Sequence, residues 1–184
     1  MSAGSLLTCR QISAKLYTAN AATPSNYLRG CRNGLCTDDV KKEEDAMYTL
    51  KTSACFDSAH FLKGYEGKCS NIHGHRWTVE IEVSSEDLQE EGQCRGMIVD
   101  FSTLKADLGT LVDNLDHSLI IEEGSLKSKT MEALAEEEFR IIQVDFRPTA
   151  ENFAKYFYTK ISDKGYNVAR TTVFETPNNC ATFS

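Results

Sequence analysis

Apolar and polar residues alternate most regularly in HGHRWTVEIEV, from His73 to Val83. Side chains of a strand point to opposite faces with a period of two, so His73, His75, Trp77, Val79, Ile81 and Val83 share one face and Thr78, Glu80 and Glu82 the other. A strand is therefore predicted from His75 to Ser84, with two imidazoles at the entrance of its apolar face. Another is predicted from Met47 to about Phe56, and the segment TSACFDSAH alternates likewise, placing Thr52, Ala54, Phe56, Ser58 and His60 on one face. Between them FLKGYEGKCSNI holds two glycines and reads as a loop, where functional side chains tend to be displayed.

Downstream, SEDLQEEGQCRG is polar and turn-like, and GMIVDF predicts a short strand running into a helix capped by Asp100 or Ser102. Leu104, Leu108, Leu111 and Leu115 recur at helical spacing and form a core stripe. NLDHSLIIEEG follows, then a short helix over residues 131–139 and a strand in RIIQVDF. Pro148 ends that strand, Thr149 is the natural N-cap of a second main helix, and Glu151 is explained as a first-turn acid. Phe153, Phe157 and Ile161 are its buried stripe. VARTTVFET is a strand and CATFS a short final one. The order, two strands, two main helices and two strands, predicts an α+β fold with an antiparallel sheet and helices on one face.

Composition narrows the function. The chain has 184 residues, 41% apolar and 26% charged, which fits one globular domain with a real core. A net charge of −7 gives no basic footprint for nucleic acid, and no apolar run approaches the ~18 residues of a membrane span. Seven scattered cysteines argue for reduced thiols and a cytoplasmic setting. Residues 1–37 carry Arg10, Lys15, Arg29 and Arg32 and no acid; the other sixteen bases and 27 acids leave the remainder at −11. Three readings of residues 1–46 compete: a transit peptide, a disordered extension, or a start codon placed upstream of Met47. Cys31 and Cys36 have no second pair to complete a metal site. The folded domain is expected over residues 47–184.

The chain has four histidines. If the two N-terminal strands are neighbours, His60 joins His73 and His75, and three neutral imidazoles with an open fourth position are the usual form of a catalytic zinc site. Cys69 lies four residues before His73, where a thiol near a cation has its pKa lowered. Asp116 next to His117 suggests an oriented imidazole, acting directly, through Cys69 or in another subunit. Zinc as Lewis acid, with a thiol and an imidazole moving protons at carbon, points to tautomerisation or retro-aldol chemistry rather than hydrolysis. No glycine-rich phosphate loop or dinucleotide fingerprint is present.

FDSAHF, KCSNIHGHRW, GMIVDFSTLK, LDHSLI, RPTAENFAKY and FETPNNCATF, in that order, resemble the 6-pyruvoyltetrahydropterin synthase superfamily over roughly Met47 to Phe183. The three residues between Cys69 and His73 resemble its carboxytetrahydropterin (queuosine-pathway) branch, and Cys69 itself argues against a branch that uses glutamate there. The resemblance implies zinc on His60, His73 and His75, catalysis by Cys69 with Asp116 and His117, and a pterin held by Glu175 and contacted at Thr149. It implies conversion of 7,8-dihydroneopterin triphosphate to 6-carboxy-5,6,7,8-tetrahydropterin, acetaldehyde and triphosphate. The alternatives are 6-pyruvoyltetrahydropterin formation and a non-catalytic zinc- or pterin-binding protein. The implied architecture is the tunnelling fold: four antiparallel strands and two main helices per subunit, assembled into stacked rings, commonly a hexamer, with active sites between subunits.

Overall fold

A computed structural model describes residues 46–184. The readings of the N-terminal extension, and of Cys31 and Cys36, fall almost wholly or wholly outside these residues. The unit Met47–Ser184 contains β1 (Tyr48–His60), β2 (His73–Ser85), α1 (Phe101–Asp113), β3 (Ser118–Glu122), α2 (Ser128–Glu136), β4 (Ile141–Val144), α3 (Ala150–Ser162), β5 (Val168–Thr176) and β6 (Asn179–Phe183).

The strands form one sheet in the order β4-β3-β1-β2-β5-β6. β1, β2, β5 and β6 are the expected antiparallel four, but β3 and β4 add to the outer side of β1 in parallel, making a mixed six-stranded sheet rather than a four-stranded one. Of these two, β4 falls in the predicted RIIQVDF segment, and β3 is the strand not anticipated. Its five residues, SLIIE, are buried or half-buried on both faces, so they carry no alternation to announce a strand. Conversely, GMIVDF forms no strand: Met97 and Ile98 spend their carbonyls on the backbone and side chain of Gln89 inside the loop before α1. β1 runs four residues past Phe56, so the segment ending at His60 continues the first strand.

The core is built from the periods read above. Phe56 and Trp77 stack with ring centroids 6.1 Å apart, and Phe153 meets them edge-on at 6.0 and 5.0 Å. Such edge contacts contribute about 0.5–1.5 kcal/mol each beyond the area they bury. Leu104, Leu108 and Val112 of α1 and Phe153, Phe157 and Ile161 of α3 are buried with them, while α2 buries no residue completely. Asp100 is the α1 cap, accepting from the Ser102 N–H at 2.7 Å, and Thr149 caps α3 by accepting from the Asn152 N–H at 3.4 Å. Among the described residues Cys55, Cys69 and Cys180 are free thiols.

Candidate metal centre and active site

The β1–β2 register builds the site. Phe56 faces Trp77, Ser58 faces His75 and His60 faces His73, so the apolar row shared by the two strands ends in three imidazoles. Their ring centroids are 4.5, 4.9 and 5.2 Å apart, and the Trp77 indole supports His60 and His75 from below at 5.1 and 5.5 Å. One ligand atom from each histidine lies within 4.8 Å of the others.

Backbone carbonyls orient two of the rings. His60 Nδ1 donates to the Pro148 carbonyl at 2.8 Å, and His73 Nδ1 to the Asn71 carbonyl at 2.8 Å. Both Nε2 atoms are thereby left as lone pairs, the arrangement outer-shell partners give metal-ligating histidines. The Nε2 atoms of His60 and His75 are buried and have no hydrogen-bond partner. Burial holds both imidazoles below the ordinary histidine range and favours their neutral form, against the hydrogen bond to Pro148 at His60 and the charge of Glu175 at His75. Buried, neutral, partnerless and convergent nitrogen donors fit a divalent metal ion.

Cys69 sits half-buried in a single 3-10 turn, Lys68–Ser70, within the loop joining β1 to β2. The Leu62 N–H donates to its carbonyl at 2.8 Å and pins the turn to the end of β1. Glu175 falls at an irregularity of the β5–β6 ladder, where Phe174 pairs with Cys180 and Thr176 with Asn179. It follows Val173 at period two, on the β5 face that pairs alongside Val79 of β2, and the carboxylate lies 3.6 Å from His60 Nε2 and 3.7 Å from His75 Nε2.

Asp116 and His117 form a different structure. His117 Nδ1 donates directly to Asp116 Oδ2 at 2.6 Å, without Cys69 as intermediary. Asp116 Oδ1 accepts from the Asp57 N–H at 2.7 Å, and that bond, with His117 second, holds the carboxyl below the usual range. His117 adopts φ 50°, uncommon for a residue with a side chain, and its N–H bonds the Asp57 carbonyl. Arg140 ties the turn down by donating to the carbonyls of Asn114 and Asp116. The imidazole is 78% exposed, and none of its hydrogen bonds leads to the three histidines. His75 and His117 do line one open groove of about 770 Å³, with Ile72, Arg76 and Phe139 on its walls.

The carbonyls of Pro148 and Asn71 and the guanidinium of Arg140 went unnoticed in the sequence. A carbonyl belongs to every residue, so only the chain path can disclose that one holds a ligand.

The 6-pyruvoyl tetrahydropterin synthase family matches the chain over residues 49–184. A Haemophilus influenzae protein named 6-carboxy-5,6,7,8-tetrahydropterin synthase is 30% identical over 136 residues, covering 72% of this chain and 96% of its own. One of the same name from Synechocystis sp. is 35% identical over 126 residues, covering 63% and 98%. Among solved structures, Plasmodium vivax 6-pyruvoyl tetrahydropterin synthase superposes with a TM-score of 0.56 at 20% identity, over 76% of this chain and 98% of that one. Fold, histidine cluster and a sequence match across most of the chain agree: the protein belongs to the 6-pyruvoyl tetrahydropterin synthase family of enzymes.

Proposed function

We propose that the protein is a zinc-dependent lyase that converts 7,8-dihydroneopterin triphosphate to 6-carboxy-5,6,7,8-tetrahydropterin with release of acetaldehyde and triphosphate, in 7-deazapurine (queuosine) biosynthesis. The observation that carries this reading is the cluster of three histidine donors beside the Cys69 turn, within 4.8 Å of one another. The names of the curated relatives favour the carboxy product over the pyruvoyl one.

His60, His73 and His75 hold the ion. Zinc, when bound, supplies a Lewis acid for the substrate's side-chain oxygens. Glu175 anchors the pterin, because a carboxylate accepts two parallel N–H donors from a guanidine-like edge. Thr149 stands at the start of α3, on the chain just after the Pro148 carbonyl that orients His60, and contacts the same ring. Cys69 takes a proton from the pterin side chain. Asp116 keeps the proton of His117 on Nδ1, so the exposed Nε2 exchanges protons with the reacting carbon or oxygen. Subunits assemble into rings, a hexamer, in which His117 of one chain serves the histidine cluster of another. The enzyme works in the cytoplasm; among the described residues no helix is long and apolar enough to cross a membrane.

The test is product identity. Zinc-loaded protein is incubated with 7,8-dihydroneopterin triphosphate, and pterins and acetaldehyde are read by mass spectrometry. The expected result is 6-carboxytetrahydropterin with equimolar acetaldehyde. A 6-pyruvoyl product without acetaldehyde assigns the elimination instead, and no turnover by folded, zinc-loaded protein leaves a binding protein.

A further inference from the structure

The surroundings of Glu175 assign it more than pterin anchoring. We propose that its carboxylate is the fourth protein donor to the metal in the pterin-free enzyme, closing a centre of three imidazoles and one carboxylate. The inference rests on the proposed metal site and goes beyond the three-histidine ligand set.

His60 is 1% exposed, and its Nδ1 proton is committed to the Pro148 carbonyl, so its Nε2 is a lone pair. That nitrogen has no donor partner, and 3.6 Å away lies Glu175 Oε1, itself only an acceptor when ionised. His73 contributes a second lone pair by the same logic, since its Nδ1 is committed to the Asn71 carbonyl. Acceptors facing one another where water is largely excluded repel, and each is left unsatisfied. A proton on His75 Nε2 would stand 3.7 Å from Glu175, beyond hydrogen-bond reach, and would leave His60 Nε2 bare as well. One cation between the four atoms satisfies them together.

Distances agree. Nitrogen and oxygen donors about 2.0–2.2 Å from a common tetrahedral ion stand roughly 3.3–3.6 Å from each other. The Glu175 oxygen is at 3.6 and 3.7 Å from two of the three imidazoles, so a slight inward turn completes the shell. Alternation puts Glu175 on the face of Thr171 and Val173, and the pairing of β5 with β2, Val173 opposite Val79, carries that face toward the histidine end of β2. The carboxylate side chain keeps 30% exposure, so a ligand arriving from solvent can draw it away. Glu175 then serves the ion in the resting enzyme and the pterin ring in the complex.

Cobalt(II) tests this without any turnover, because its visible d–d bands report the number and type of donors. The metal-free full-length protein, Glu175→Gln and Glu175→Asp are titrated with Co²⁺, and circular dichroism checks that each variant is folded. Glu175→Gln is expected to bind Co²⁺ at least about tenfold more weakly, the loss typical of removing even an outer-shell partner, and to show altered bands. Glu175→Asp keeps the charge on a shorter arm and is expected to alter the bands as well. Wild-type affinity and bands in both folded variants would overturn the Glu175 assignment while leaving the three-histidine site standing. Weaker binding with unchanged bands overturns ligation too, since it reports only long-range charge. No Co²⁺ binding by the folded wild type overturns this inference and the metal site together.

Discussion

Two committed Nδ1 protons define the chemistry available at the site. Because Pro148 and Asn71 carbonyls take them, His60 and His73 present bare Nε2 atoms. His73→Ala is expected to abolish stoichiometric metal binding in a folded protein, measured by metal analysis after dialysis. Cys69 is not among the convergent donors. Cys69→Ala should therefore keep a full complement of metal and lose turnover by about 10²–10⁴-fold, the range for removing a general acid or base. Full activity in that variant would remove the thiol from the mechanism. The histidines and Cys69 were legible in the sequence because period two and short spacing are local. The link from Asp116 to His117 was legible as adjacency, while its anchoring on Asp57 depends on a partner 59 residues away.

The elements are held together through two different kinds of contact. α3 braces the histidine row from beneath, with Phe153 edge-on to Trp77, which itself supports His60 and His75. Phe153→Ala leaves a cavity there and is expected to cost about 3–5 kcal/mol, read by urea denaturation. On the opposite sheet face, Lys51 and Arg170 contact Glu82 at 3.0 and 2.8 Å. Burial pushes Glu82 up, but the hydrogen bonds and charges of Lys51 and Arg170 outweigh it, so the net direction is down. A carboxyl depressed in the native state adds stability above its unfolded value of about 4.3, and that stability is lost as pH falls through the native value. Urea midpoints measured from pH 7 to 3 should fall less steeply for Glu82→Gln than for the wild type. Equal slopes would mean that the triad across β1, β2 and β5 adds nothing to folding.

For the whole molecule, β4 and β6 are the outer strands of the sheet. Unpaired edges invite pairing with another chain, and Ile72 and Phe139, 59% and 62% exposed, border the groove that holds His75 and His117. Light scattering is expected to give an oligomeric mass. If the active site is shared between subunits, inactive Cys69→Ala and His117→Ala proteins, mixed and re-associated, should recover part of the wild-type activity. No recovery in demonstrably mixed oligomers would place the whole site within one chain.

Sequence alone determined which residues could do chemistry and which faces they occupy. Alternation placed His73 and His75 beside Trp77, helical spacing assigned the stripes of α1 and α3, and ordered motifs pointed to the family that the match over residues 49–184 then showed. These are short-range properties, set by side-chain direction and backbone period. The tertiary structure decided what depends on distant partners. It paired β3 in parallel with β1, it dissolved the strand expected at GMIVDF, and it brought Glu175 to the histidines by pairing β5 with β2. Strand addition, carbonyl capping of imidazoles and the approach of a carboxylate from β5 are settled by which backbone groups meet after collapse. No local pattern encodes those meetings, because every residue carries the same N–H and C=O except proline.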